Sequence, residues 1–123
     1  MFELSVEVSF SAAHQLRGYK GKCENMHGHN WKVQVSVMAE NLNDIDIAID
    51  FHDLKRMARE VVAPLDHAYL NDLFPFTEKN PSSENMAKWI FDSMKKKITE
   101  ENVRVSAVTV WESDTASATY YES

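Results

Sequence analysis

The chain has 123 residues, 44% of them hydrophobic, and 13 Lys and Arg against 19 Asp and Glu give a formal charge of −6. These values predict a single domain over residues 1–123 and argue against nucleic-acid binding, while no apolar run approaches the ~18 residues of a transmembrane helix. The alternating amino terminus is not typical of a signal peptide, and the one cysteine excludes an internal disulfide and fits a reducing, cytoplasmic setting.

Two alternating runs predict the first two strands. Apolar residues occupy every even position from 2 to 12, with Glu and Ser between them, and this face continues to His14. A second run covers residues 31–39 and leads back to His29 and His27. A strict period of two is typical of a half-buried strand, so residues 15–26 are predicted to be a connecting loop.

Helical spacing follows. Asp50 is predicted to cap a first helix that ends near Pro64, and its apolar stripe is Phe51, Leu54, Ala58, Val61 and Leu65. Residues 66–75 are predicted to be a loop. A second helix is predicted to open with Asn80 as its cap and Pro81 at its first position. Its apolar stripe is Met86, Ile90, Met94 and Ile98.

The chain closes with two further predicted strands, residues 103–111 and 116–121, joined by a turn at Ser113 and Asp114. The order strand, strand, helix, helix, strand, strand predicts an α+β domain, with both helices on one face of an antiparallel four-stranded sheet. The opposite face of the first two strands is polar and suits bulk water or a wet channel. The two open edges of such a sheet invite pairing with another copy.

Three histidines fall at one end of the predicted hairpin of strands. His14 closes the first strand, and His27 and His29 open the second with side chains on the same face. Three neutral imidazoles that converge there suit Zn²⁺, with a fourth position open for water or substrate. The alternative is three separate histidines, each satisfied by its own hydrogen bonds, but the matching face of His14 favours the metal.

Cys23 has two interpretations. It is either a fourth zinc ligand that closes a structural site, or a reactive thiol beside an open metal site. A thiol of ordinary pKa is weakly ionised at neutral pH and needs a partner that accepts its proton. Asp66 and His67 could act as that partner, because an Asp can orient an imidazole that takes the proton, although such residues are often incidental. His52 is interpreted as a solvated surface histidine.

Acidic and hydroxyl side chains supply further candidates. Glu112 ends the third predicted strand, where a carboxylate can accept two parallel hydrogen bonds from an amidine-like ligand edge or simply be an exposed acid. Ser82, Ser83 and Glu84 fit the first turn of a helix and could also line a pocket wall.

Six short motifs occur in order along nearly the whole chain. Together they resemble the 6-pyruvoyl-tetrahydropterin synthase and 6-carboxytetrahydropterin synthase family. They are Ala-Ala-His at residues 12–14, Cys-x-x-x-His-Gly-His at 23–29, Ile-Asp-Phe at 49–51, Leu-Asp-His at 65–67, Asn-Pro-Ser-Ser-Glu at 80–84 and Trp-Glu-Ser at 111–113.

The resemblance implies a tunnelling fold, in which ββααββ subunits form a trimer whose strands close one barrel. Two such trimers would stack into a homohexamer, with the helices outside and the active sites between subunits. It also implies a role for each candidate residue. His14, His27 and His29 would bind zinc, and Cys23 would be the base that transfers a proton, with Asp66 and His67 as its activating partners. Glu112 would anchor the pterin ring, and Ser82, Ser83 and Glu84 would border the pocket.

The substrate implied is a small molecule, 7,8-dihydroneopterin triphosphate. We expect a zinc-dependent lyase that gives 6-carboxytetrahydropterin, acetaldehyde and triphosphate, on the route to 7-deazaguanine compounds such as queuosine. The alternatives are 6-pyruvoyltetrahydropterin synthesis and, because Glu24 adjoins Cys23, side-chain cleavage for folate synthesis. Outside the family the alternatives are a zinc hydrolase and a non-catalytic zinc scaffold. Arg17, Lys20 and Lys22 are candidates for offsetting the triphosphate charge.

Overall fold

A computed structural model of the chain describes residues 1–19 and 25–122. Two helices and five strands follow one another in it: β1 (Phe2–His14), β2 (His27–Ala39), α1 (Phe51–Val62), β3 (Ala68–Tyr69), α2 (Ser83–Lys97), β4 (Val103–Ser113) and β5 (Ala116–Tyr121). Short 3-10 turns flank β3 at Ala63–Leu65 and Leu70–Asp72. Within the described ranges no helix has the length and apolar character needed to cross a membrane.

The five strands form one sheet in the order β3-β1-β2-β4-β5. The long strands β1, β2, β4 and β5 pair antiparallel, whereas β3 runs parallel to β1 and pairs only with Ala12 and Ala13. Helix α1 packs on β1, and α2 packs on β4 and β5. The predicted α+β class is therefore confirmed.

The core lies between this sheet and the two helices. The even positions of β1 from Val6 to Ala12 are buried, while Glu3, Ser5 and Glu7 between them are exposed on the other face. The helices cover the buried face with side chains that include Leu54, Met57, Ala58, Val61, Met86, Ile90 and Met94. The polar face of β1 is left to solvent.

Several local predictions were wrong. Residues 66–75 were predicted to be a loop in a four-stranded sheet, but two of them form β3, which is too short to show an alternating pattern. Helix α2 begins at Ser83, because the Ser82 side chain accepts the Asn85 N–H at 3.1 Å and is the cap. Asn80 does not cap this helix, since its side chain bonds the backbone of Arg17 instead.

Smaller corrections concern the ends of the apolar stripes. Phe51 is 58% exposed and lines an open depression beside Phe2 and Ile47, so it is not part of the core. Strand β4 continues to Ser113, which pairs with Ala116 and moves the predicted turn by one residue. The predicted cap of the first helix is confirmed, because Asp50 accepts the His52 N–H at 2.7 Å.

The two faces of α1 give a test of this packing. Replacing the fully buried Leu54 by Ala is expected to lower the free energy of unfolding by about 2–5 kcal/mol, through lost burial and a cavity. Phe51→Ala in the same helix should change it by about 0.5 kcal/mol or less. Urea unfolding measures both variants, and equal losses would show that Phe51 is covered in solution.

Candidate functional site

The pairing register of β1 and β2 brings three histidines together. His14 pairs directly with His27, and His29 pairs with Ala12, one step along the same face. Glu112, near the end of β4, joins them. The candidate ligand atoms of His14, His27, His29 and Glu112 all lie within 4.8 Å of one another. We call these four residues the histidine group.

Backbone carbonyls fix the tautomers of two of these rings. His14 Nδ1 lies 2.7 Å from the carbonyl oxygen of Pro81, and His27 Nδ1 lies 2.9 Å from that of Asn25. A carbonyl oxygen only accepts, so each Nδ1 must carry the proton and donate it. In the neutral imidazole, each Nε2 is then left with a lone pair.

Those two lone pairs face each other. The Nε2 atoms of His14 and His27 are 2.9 Å apart, and burial lowers the pKa of His14, which favours its neutral form. Two neutral rings in these tautomers have no proton to share at this contact. A metal cation fits the arrangement, because histidine ligands typically donate the other ring N–H to a backbone carbonyl.

His29 and Glu112 complete the donor set. His29 Nε2 lies 3.0 Å from Glu112 Oε1, but the two atoms are not aligned as a hydrogen bond. This buried nitrogen therefore has no hydrogen-bond partner in residues 1–19 and 25–122. Such a nitrogen is costly unless it binds something, and imidazole and carboxylate donors together suit a divalent transition metal.

The indole ring of Trp31 packs against two of these histidines. Trp31 is fully buried, its ring meets the edges of His14 and His29 at centroid distances of 4.9 and 5.2 Å, and its Nε1–H donates to the Ala12 carbonyl at 3.2 Å. An apolar wall on one side lowers the local dielectric. Charges within the histidine group therefore interact more strongly than they would in water.

Asp66 and His67 lie at the outer edge of β1, just before β3. Asp66 accepts the Ser11 N–H at 2.9 Å and lies 3.1 Å from His67 Nδ1. His67 has a positive φ of 57° and a side chain that is 84% exposed, and it lines an open depression of about 530 Å³ together with His29 of the histidine group. The pair is thus accessible from outside this chain.

The remaining candidates divide between described and undescribed residues. Cys23, Glu24, Lys20 and Lys22 lie outside the residues that the structure describes. Ser83 is buried and Glu84 exposed in the first turn of α2. The predicted charge partner Arg17 donates from its guanidinium to the Phe76 carbonyl. His52 is exposed, as predicted.

Two contributors to the site were missed by the sequence reasoning, namely the carbonyl oxygens of Asn25 and Pro81. A backbone acceptor has no side-chain signature. The one available signal is position, because Pro81 lies in the Asn-Pro-Ser-Ser-Glu motif of residues 80–84.

Comparisons with known proteins identify the family of this chain. Residues 3–123 match the family model described as 6-pyruvoyl tetrahydropterin synthase. The chain is 31% identical to the 6-carboxy-5,6,7,8-tetrahydropterin synthase of Haemophilus influenzae, over 99% of this chain and 100% of that one. It is 39% identical to a putative enzyme of the same name from Archaeoglobus fulgidus, over 84% and 85%.

A solved structure shares the fold. The 6-pyruvoyl tetrahydropterin synthase of Caenorhabditis elegans superposes with a TM-score of 0.86 and 29% identity, covering 99% of this chain and 96% of that chain. Because the superposition covers 99% of this chain, it includes the whole sheet and both helices.

The Asp66 contact predicts a pH dependence. The Ser11 N–H donated to its carboxylate lowers the pKa of Asp66 below its usual 3.8. The resulting stabilisation is present above that usual value and is lost as the pH falls through the lower, folded-state pKa. Asp66→Asn should therefore flatten the fall in melting temperature between about pH 5 and pH 3. Asp114→Asn, in the exposed β4–β5 turn, is the control, and an equal flattening there would contradict the assignment.

Proposed function

Because this chain belongs to the 6-pyruvoyl tetrahydropterin synthase family, we propose that it is a zinc-dependent lyase of the 6-carboxytetrahydropterin type. Its substrates are 7,8-dihydroneopterin triphosphate and one water, and its products are 6-carboxy-5,6,7,8-tetrahydropterin, acetaldehyde and triphosphate. The observation that carries this choice is the similarity to the Haemophilus influenzae enzyme over the full length of both chains. The histidine group supports it chemically.

His14, His27 and His29 would hold the zinc. Their support is the 2.9 Å contact between the Nε2 atoms of His14 and His27, whose Nδ1–H groups are both donated to carbonyls, together with the Nε2 of His29, which has no hydrogen-bond partner within residues 1–19 and 25–122. When bound, zinc supplies Lewis acidity toward the side-chain hydroxyls of the substrate and favours negative charge on their oxygens. The buried Trp31 side chain would strengthen that effect by excluding water from one side of the site.

Glu112 would anchor the pterin ring. A carboxylate accepts two parallel hydrogen bonds from the amidine-like N–H edge of such a ring. Its side chain is 39% exposed and lies 3.0 Å from His29 Nε2, so a ring held there keeps its side chain close to the three histidines. Ser82, Ser83 and Glu84 would border the ring, and Ser82 would do so as a donor, since its oxygen already accepts the Asn85 N–H.

Cys23 would move the proton at the substrate side-chain carbon next to the ring. As a thiolate it accepts that proton, and an imidazole that has taken the thiol proton keeps it ionised. Asp66 would hold His67 by its Nδ1 and leave Nε2 to meet the thiol. Since His67 is exposed at the edge of β1, we propose that it acts on Cys23 of a neighbouring copy.

Self-association follows from the same proposal. We propose a trimer whose sheets close one barrel, with two trimers stacked into a hexamer. Two features of a single chain support it: β5 ends the sheet on one side, and β3 covers only two residues of β1 on the other. The polar, exposed face of β1 would then line the tunnel.

A second candidate function is synthesis of 6-pyruvoyltetrahydropterin from the same substrate. The close fold match to the Caenorhabditis elegans enzyme favours it. Both reactions eliminate triphosphate, and only the carboxy branch also breaks a carbon–carbon bond in the side chain.

Product analysis separates the branches. We expect the purified, zinc-loaded protein to release acetaldehyde and triphosphate from 7,8-dihydroneopterin triphosphate in equal amounts. Aldehyde derivatisation and anion chromatography measure the two products. Triphosphate with no aldehyde would show the pyruvoyl branch. A two-carbon aldehyde that still carries the triphosphate, with no free triphosphate, would show the side-chain cleavage used for folate.

Two variants separate the lyase from a hydrolase or a scaffold. Cys23→Ala is expected to abolish lyase turnover while zinc affinity is kept, because the thiol moves a proton and does not bind the metal. His27→Ala should lower zinc affinity by at least about tenfold. Turnover that persists in Cys23→Ala would indicate a metal-bound hydroxide as nucleophile, and a sharp loss of zinc there would indicate a fourth ligand. Chelator competition and the product assay provide the two readouts.

A further inference from the structure

Two asparagine side chains grip the backbone just after His14. Asn71 accepts the Gln15 N–H at 2.9 Å and donates to the Gln15 carbonyl at 2.7 Å. Asn80 makes the same pair with Arg17, at 2.8 and 2.9 Å. Each amide thus satisfies both backbone groups of one residue, as a neighbouring strand would. We call these two contacts the asparagine clamps.

The clamps lie next to the contact that orients His14. Asn80 is followed by Pro81, whose carbonyl accepts the His14 Nδ1–H at 2.7 Å. The Asn80 carbonyl itself accepts from the Asn85 side chain at 2.9 Å, which ties this segment to the first turn of α2. The distance between Pro81 and His14 therefore depends on how the segments around residues 17 and 80 are held together.

Asn71 holds the backbone closer to His14 than Asn80 does, at Gln15. It follows β3 within the 3-10 turn Leu70–Asp72 and holds Gln15, the residue directly after His14. The hydroxyl of Tyr69 also donates to the Gln15 side chain, at 3.0 Å. The pairing of β1 with β2 ends at His14 and His27. The contacts of Asn71 and Tyr69 hold the backbone and side chain of the next residue, directly after the proposed metal ligand His14.

We propose that Asn71 and Asn80 are positioning residues of the metal centre, which set the direction of His14 Nε2 by clamping the backbone at Gln15 and Arg17. The inference rests on the proposed function, because it takes His14 to be a metal ligand. Neither asparagine belongs to the histidine group, so each acts through the backbone and through Pro81. Their removal weakens metal binding without removing a ligand.

The chain contains a matched control. Asn102 accepts the Asn41 N–H at 3.2 Å and donates to the Asn41 carbonyl, which is the same pair of contacts. It joins the residues just after β2 to those just before β4, at the end of the sheet opposite the histidines. Loss of this clamp removes equivalent hydrogen bonds at a site without metal ligands.

The test measures zinc affinity by competition with a chromophoric chelator at one fixed pH. We expect Asn80→Ala and Asn71→Ala to bind zinc about tenfold more weakly or worse than the unaltered chain. Asn102→Ala should stay within about twofold, although its metal-free melting temperature also falls. The absorption bands of bound Co²⁺ should shift in the first two variants and not in the third.

A second variant guards against loss of folding. Asn80→Asp keeps the oxygen that accepts the Arg17 N–H but loses the donor, and its zinc affinity should lie between those of the unaltered chain and Asn80→Ala. If Asn80→Asp and Asn80→Ala bind zinc as the unaltered chain does, or if Asn102→Ala is equally impaired, the clamps have no special role. If the unaltered chain binds no zinc, the proposed function itself fails, and this inference fails with it.

Discussion

The contact between His14 Nε2 and His27 Nε2, 2.9 Å apart, is the constraint on which the rest of the site depends. Both rings donate their Nδ1–H to a carbonyl, His14 to that of Pro81 and His27 to that of Asn25, and this leaves the two Nε2 lone pairs facing each other. Two lone pairs held this close repel each other unless both bind the same cation. Three parts of the chain hold the two rings in this arrangement. They are the pairing of β1 with β2, the segment before α2 that contains Pro81, and Asn25 just before β2.

The sequence was most informative where the governing rule is local. Alternation in β1 and β2 places His14, His27 and His29 on one face, and a shift of one residue in the register would move His14 to the opposite face. The convergence of the three rings was therefore predictable from spacing alone. The cap of α1 was predictable for the same reason, because an Asp before an amphipathic run satisfies nearby amides whatever the rest of the chain does.

The misses share a different cause, which is competition from distant partners. Asn80 before Pro81 satisfies the local rule for a helix start, yet its amide bonds the backbone of Arg17, and Ser82 becomes the cap instead. The acceptors at Pro81 and Asn25 are backbone atoms, which no residue type reveals. The place of Glu112 at a strand end left it either a ligand-binding carboxylate or an exposed acid, and only the family resemblance implied a pterin anchor. Its closeness to His29 follows from the order of β2 and β4 in the sheet. The role of Cys23 stays a prediction from sequence.

One contact at the edge of β1 also limits how this sheet can grow. The N–H of Ser11 is taken by Asp66, and its carbonyl by the N–H of His67, just before β3 occupies Ala12 and Ala13. A strand arriving from elsewhere finds both groups of Ser11 engaged and must stop short of it. Asp66 and His67 together therefore close the edge of β1 at Ser11, and a strand added along this edge would have only the backbone groups of residues 2–10 to pair with.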